Sequence, residues 1–122
     1  MKWDIELRIT KGFKKEAKPL LKKYPSLGKD LRILENELIE NPQKGTSLGN
    51  NTFKIRLKIS SKKKGKSGGA RVITFIETEL IGQLEESDEG KVIINLVSIY
   101  DKSETSSLKD SEIKDLIKNI EY

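Results

Sequence analysis

Between Phe53 and Ile59 the chain reads F-K-I-R-L-K-I, apolar and basic residues in strict alternation. A period of two puts Phe53, Ile55, Leu57 and Ile59 on one face of a β-strand and Lys54, Arg56 and Lys58 on the other. The same alternation joins Trp3, Ile5, Leu7 and Ile9, separated by Asp4, Glu6 and Arg8, and predicts a half-buried strand at the start of the chain. Between these two strands the period lengthens. Phe13, Ala17, Leu20, Leu21 and Tyr24 recur at helical spacing until Pro25 interrupts, and Leu27, Leu31, Leu34 and Leu38 do so after it, with Ser26 placed to cap the second helix. Pro42 disfavours helix at Asn41, and the Gly/Asn-rich run ENPQKGTSLGNN reads as a turn.

Further on, ARVITFIETEL is rich in β-branched and aromatic residues, and KVIINLVSIY is apolar almost throughout, which predicts a central strand; the polar EESDEG between them reads as a hairpin end. Ile113, Leu116, Ile117 and Ile120 form one stripe of a short closing helix that Ser107 or Asp110 is placed to cap. The predicted order is β-α-α-β-β-β-α. It describes one α+β domain over residues 1–122, with a strand and a helical hairpin packed on an antiparallel sheet of about four strands. A chain of 122 residues buries one core of this size and not two.

Composition narrows the chemistry. The chain has no cysteine and no histidine, so disulfides, thiolate zinc sites and the usual neutral-pH acid–base residue are excluded. No metal and no cofactor is expected, and any reaction must use Lys, Arg, Tyr, Asp or Glu. No apolar run approaches the roughly 18–20 residues of a membrane span, and acids interrupt the N-terminal pattern where a signal peptide would be uninterrupted, so a cytoplasmic location is expected.

The net charge of +5 is unevenly placed. From Phe53 to Ile76 there are eight basic residues (Lys54, Arg56, Lys58, Lys62, Lys63, Lys64, Lys66, Arg71) and no acid; the remaining 16 basic residues are outnumbered by 19 acids. One cationic region on a slightly acidic body suits a polyanionic partner, nucleic acid above all. Within that region the letters GKS suggest a phosphate-cradling loop, but the position that should hold its first glycine is Ser60, and a strand rather than a helix follows. The loop reads instead as a basic hairpin whose lysines serve as mobile, hydrated point charges toward phosphate. Lys54 and Arg56 are the stronger pair, about 7 Å apart on one strand face, a spacing that suits adjacent phosphodiesters.

The FKIRLKI strand, the GKSGGARVITF junction and the VSIYDKSE strand end, spaced as they are behind a helical hairpin, resemble the RelE/ParE superfamily of bacterial toxin–antitoxin toxins, in particular its RelE/HigB-like branch. The order of elements is similar over essentially the whole chain; the motifs lie in residues 53–104. The resemblance implies a small toxin that enters the ribosomal A site and cuts messenger RNA without a metal, with a cognate antitoxin, the ribosome and mRNA as partners. It places the family's basic residues at Lys54, Arg56 and Arg71 and its C-terminal tyrosine at Tyr100, with Lys102 as the alternative. Lys58, Lys62, Lys63, Lys64 and Lys66 are expected to bind RNA, and Lys66 competes with Lys54 for the scissile phosphate. The loop at 60–70 is longer than in compact members, and the histidine used by some relatives is absent. Two other readings stay open: a ParE-like inhibitor of DNA gyrase without nuclease activity, and a non-catalytic RNA-binding module.

Overall fold

A computed structural model describes residues 2–62, 68–80, 89–105 and 107–122. The elements run β1 (Lys2–Ile9), α1 (Lys11–Lys23), α2 (Leu27–Glu40), β2 (Thr46–Gly49), β3 (Thr52–Leu57), a single 3-10 turn (Ser60–Lys62), β4 (Ala70–Leu80), β5 (Glu89–Asp101) and α3 (Asp110–Lys118). The α+β class and the predicted helices are observed. The sheet differs: it has five strands in the order β1-β5-β4-β3-β2, and β1 runs parallel to β5 while the other pairs are antiparallel. It is therefore mixed, not the antiparallel sheet of about four strands that the pattern predicted. A parallel neighbour needs a crossover, and the α1–α2 hairpin followed by β2 to β4 supplies it.

The additional strand, β2, falls in the run read as a turn. Asn50 and Asn51 take φ of 51° and 57°, the left-handed pair of a two-residue hairpin turn, and they fold β2 onto β3. At the chain's other end Lys109, not Ser107 or Asp110, is the N-cap of α3, where the Glu112 carboxylate accepts the Lys109 backbone N–H at 3.2 Å. The Thr10 hydroxyl caps α1 by accepting from Phe13 N–H at 3.2 Å, and it donates to the Leu96 carbonyl at 2.9 Å. One side chain thus fixes where the first helix leaves the sheet.

The sheet is covered on both faces. Phe13, Ala17 and Leu20 of α1 and Leu27, Leu34 and Leu38 of α2 seal one face against Ile55, Leu57, Ile59, Val72, Ile94, Leu96 and Ile99. On the other face α3 brings Ile113, with partly buried Leu116, Ile117 and Ile120, onto Ile73, Val97 and Phe75. The polar turn expected at EESDEG lies largely outside the described residues, although β5 has already begun at Glu89. No described helix is long and apolar enough to cross a membrane.

Register in β5 carries a feature that the apolar run concealed. Ile73 pairs with Ser98 but Thr74 pairs with Leu96, so Val97 is an extra residue, a β-bulge. Leu96 and Ile99 consequently both face the α1–α2 side, three residues apart, and beyond the bulge Tyr100 lies opposite Arg71 on the α3 side.

The third glycine of the GKSGGAR junction, Gly69, has a packing reason. A Cβ on Gly69 would sit 2.1 Å from the Leu57 carbonyl oxygen, where β3 and β4 meet; a Cβ on Gly28, inside α2, would meet nothing closer than 4.0 Å. Gly69→Ala is expected to destabilise by about 1–3 kcal/mol or more through forced backbone movement, whereas Gly28→Ala should stabilise by about 0.5–1 kcal/mol. Urea unfolding of the two variants checks both signs.

Candidate nucleic-acid interface

β3 holds the candidate cations because its alternation leaves them one direction to point. With Ile55 and Leu57 buried under the helices, Lys54 and Arg56 face the α3 side of the sheet, Lys54 half-buried and Arg56 exposed. Register then assembles a row. Arg56 pairs with Arg71, and Arg71 pairs with Tyr100, so three predicted residues from three strands occupy consecutive cross-strand positions, about 5 Å per strand. Lys54 is two residues along β3, opposite Ile73. Neither Lys54 nor Arg56 has a carboxylate partner among the described residues.

Accessibility divides the row. Arg71 is 7% exposed and donates to the Ala70 carbonyl at 3.2 Å, and Tyr100 is 6% exposed. Burial pushes the Tyr100 phenol up from its ordinary value, opposed by a hydrogen bond from the Leu108 backbone and by the Arg71 charge. Tyr100 therefore stands as a neutral phenol with a proton to give. Lys102, the alternative for that role, is half-buried with its Nζ 3.4 Å from the Ser107 hydroxyl. Lys58 is exposed beyond the end of β3, in a groove it shares with Asp30 and Glu37 of α2. Lys63, Lys64 and Lys66 lie outside the described residues.

Lys62 is the residue whose surroundings depart most from the sequence expectation. Rather than a hydrated point charge, it is a largely buried cation whose Nζ donates to Asp101 Oδ1 at 2.7 Å and to the Ser103 hydroxyl at 2.7 Å, and lies 5.4 Å from the centre of the Tyr24 ring. Asp101, with a fully buried side chain, also accepts from the Tyr24 hydroxyl at 2.5 Å and from Ser103 N–H and O–H. Burial pushes the Asp101 carboxyl up, but Lys62, Tyr24 and Ser103 outweigh it and hold the group well below the usual carboxylate range. Asp30 works alongside it. Its carboxylate accepts Ser60 N–H at 2.9 Å, Ser60 O–H at 2.6 Å and Ser26 O–H at 2.8 Å; burial pushes its pKa up, and these bonds bring the net shift down.

Two buried carboxylates thus anchor Ser60–Lys62, the turn from which the basic run 62–66 departs. Sequence spacing gave no sign of this, since Lys62 and Asp101 are 39 residues apart and Lys62 opens a run of three identical residues. No family model matches the chain.

Both anchoring carboxylates have folded-state pKa values below their unfolded ones. The stability they contribute is therefore complete above about pH 4, the ordinary carboxylate value, and is lost as pH falls from there toward the folded pKa. Glu16 acts in the opposite sense: burial raises its pKa, opposed by the Ser98 hydroxyl, so its charge works against folding above its ordinary value. Asp101→Ala should cost about 3–5 kcal/mol at pH 7 because it strands the Lys62 ammonium in a buried site, and the variant's stability should fall less steeply than the native protein's below pH 4. Urea midpoints from pH 7 to pH 2.5 check both statements.

Proposed function

We propose that the chain is a toxin of a type II toxin–antitoxin pair, RelE-like in fold, that cuts messenger RNA on the ribosome and so stops translation in the cytoplasm. The observation that carries this reading is the cross-strand row Arg56–Arg71–Tyr100 with Lys54 beside it, all on one sheet face and drawn from the three segments that resemble the RelE/HigB-like branch. A cognate antitoxin is the partner that the resemblance implies.

The row suits cleavage by the RNA's own ribose. The 2′-oxygen attacks the adjacent phosphorus and loses its proton, the P–O5′ bond breaks, and the products are a 2′,3′-cyclic phosphate and a 5′-hydroxyl. Three demands follow: a proton acceptor, a proton donor, and cations on the phosphorane oxygens. Arg56 and Arg71 present planar forks suited to two phosphate oxygens. The neutral Tyr100 phenol is the donor to the departing 5′-oxygen, with Lys102 behind it at the strand end. Lys54, without a carboxylate partner among the described residues, takes the 2′-proton as a neutral amine and, once protonated, faces the phosphorane as a cation. The ribosome supplies the alignment of 2′-oxygen, phosphorus and 5′-oxygen that this row alone does not impose.

The test is cleavage of a programmed message by purified protein and ribosomes. Lys54→Ala with Arg56→Ala should lose at least 100-fold in rate, on the order of the contribution of a single catalytic group, with unchanged unfolding, since neither side chain joins the helix-covered core. Their loss should also lower the slope of log affinity against log salt for single-stranded RNA by about 1.4, roughly 0.7 per cation. A folded double variant that cuts at the native rate contradicts the proposal.

A further inference from the structure

Outside residues 53–76 the charge is segregated once more. α1 carries six lysines and one acid; setting these apart from the 16 basic and 19 acidic residues outside 53–76 leaves 10 basic against 18 acidic, so α1 is a second cationic element on an acidic body. At about 100° per residue, Lys11, Lys14, Lys15, Lys18 and Lys22 fall within one arc of roughly 100° that runs about 16 Å along the helix axis, opposite the Phe13, Ala17 and Leu20 that pack on the sheet. All five are exposed. The one acid sits off the stripe: Glu16 is half-buried and accepts the Ser98 hydroxyl at 3.0 Å. Lys14, Lys15, Lys18 and Lys22 have no carboxylate partner among the described residues. We propose that this stripe docks on the phosphate backbone of double-helical RNA, on the side of the sheet opposite the face that takes the message.

Folding does not call for such a stripe. Like charges four residues apart on a helix repel, and Lys11–Lys15, Lys14–Lys18 and Lys18–Lys22 are three such pairs. The first turn holds no acid, where the helix dipole favours one; only Lys22 and Lys23 lie at the end that favours cations. A helix that keeps these charges against its own stability is matched to a polyanion. The residue types select the backbone of that polyanion rather than its bases. The stripe consists of lysines, point charges toward phosphate, with no Arg, Asn, Gln or aromatic residue to read or stack on a base. Single strands are gripped by stacking that this face lacks, whereas a double helix presents its phosphates in a fixed row that a rigid row of cations can meet. The choice of RNA over DNA rests on the nuclease reading, in which the helices of ribosomal RNA surround the protein. At the start of α1, Glu112 and Asp115 share a groove with Lys11 and Lys15, and Glu121 lies 4.0 Å from Lys11. Lys14, Lys18 and Lys22 are therefore the cations that carry the contact.

The probes are an RNA hairpin with 2′-O-methyl riboses, which binds without being cut, a DNA hairpin of the same sequence, and a 2′-O-methyl single strand. Combining Lys14→Gln, Lys18→Gln and Lys22→Gln should lower the slope of log affinity against log salt for the RNA hairpin by about 2–3, roughly 0.9 per cation lost from a double helix. Glutamine keeps the helix propensity and relieves the repulsion, so the unfolding midpoint should hold or rise. An unchanged hairpin slope in the folded variant overturns the proposal, as does an equal fall for the single strand or tighter binding of the native protein to the DNA hairpin. Should the variant not fold, acetylation of the native protein decides: slower modification of Lys14, Lys18 and Lys22 with the RNA hairpin bound supports docking, and unchanged modification overturns it. Cleavage of ribosome-bound message by the native protein separates the two claims. A lowered hairpin slope without any cleavage keeps the docking surface and removes the nuclease reading; cleavage with an unchanged slope does the reverse.

Discussion

The phase of β3 is the constraint on which the rest depends. Side chains alternate along a strand, so burying Ile55 and Leu57 under α1 and α2 leaves Lys54 and Arg56 no position except the opposite face. A slip of one residue would turn Lys54 and Arg56 toward the apolar core, and desolvating their charges makes that register far more costly than the one observed. The register of β3 is thereby fixed by desolvation rather than by hydrogen bonding alone. Once it is fixed, pairing carries the choice across the sheet to Arg71, and the bulge at Val97 brings Tyr100 into line. A core requirement and a candidate chemical site are one arrangement here.

A second layer holds the end of the sheet. Asp101 and Asp30 are buried carboxylates saturated with donors, and both secure the turn that follows β3. Buried ion pairs of this kind add little to stability over a well-packed apolar substitute, but removing one partner is severe. Their value is geometric. They tie the C-terminal end of α1 through Tyr24, the start of α2 through Ser26 and the end of β5 through Ser103 to the root of the basic run. The end of β3 and Lys62 at the root of the basic run therefore share one corner of the sheet, and Asp101 of that corner directly follows Tyr100.

What could be read from the sequence follows from how each element is specified. β3 was legible because F-K-I-R-L-K-I alternates without a break, and the helices because Leu27, Leu31, Leu34 and Leu38 keep one stripe. The phase of β5 was not, because I-I-N-L-V gives a two-sided buried strand no polar mark at which to place a bulge. β2 was missed because all four of its residues are exposed, so burial imposes no pattern on T-S-L-G. The parallel direction of β1 leaves no trace in its composition. In the candidate site, Lys54, Arg56, Arg71 and Tyr100 were nameable from motif and alternation, and register brings the last three into a single row. The role of Lys62 was hidden, because a buried lysine and a hydrated one are the same letter until the fold presents Asp101.

The central claim is that this cationic sheet face acts on messages while they are translated. Mapping transcript 5′ ends after brief induction in growing cells tests it most directly. New ends at fixed positions within codons, confined to translated regions and carrying 5′-hydroxyls, are the predicted result. Intact messages accompanied by DNA damage, or new ends scattered equally through untranslated RNA, would contradict it.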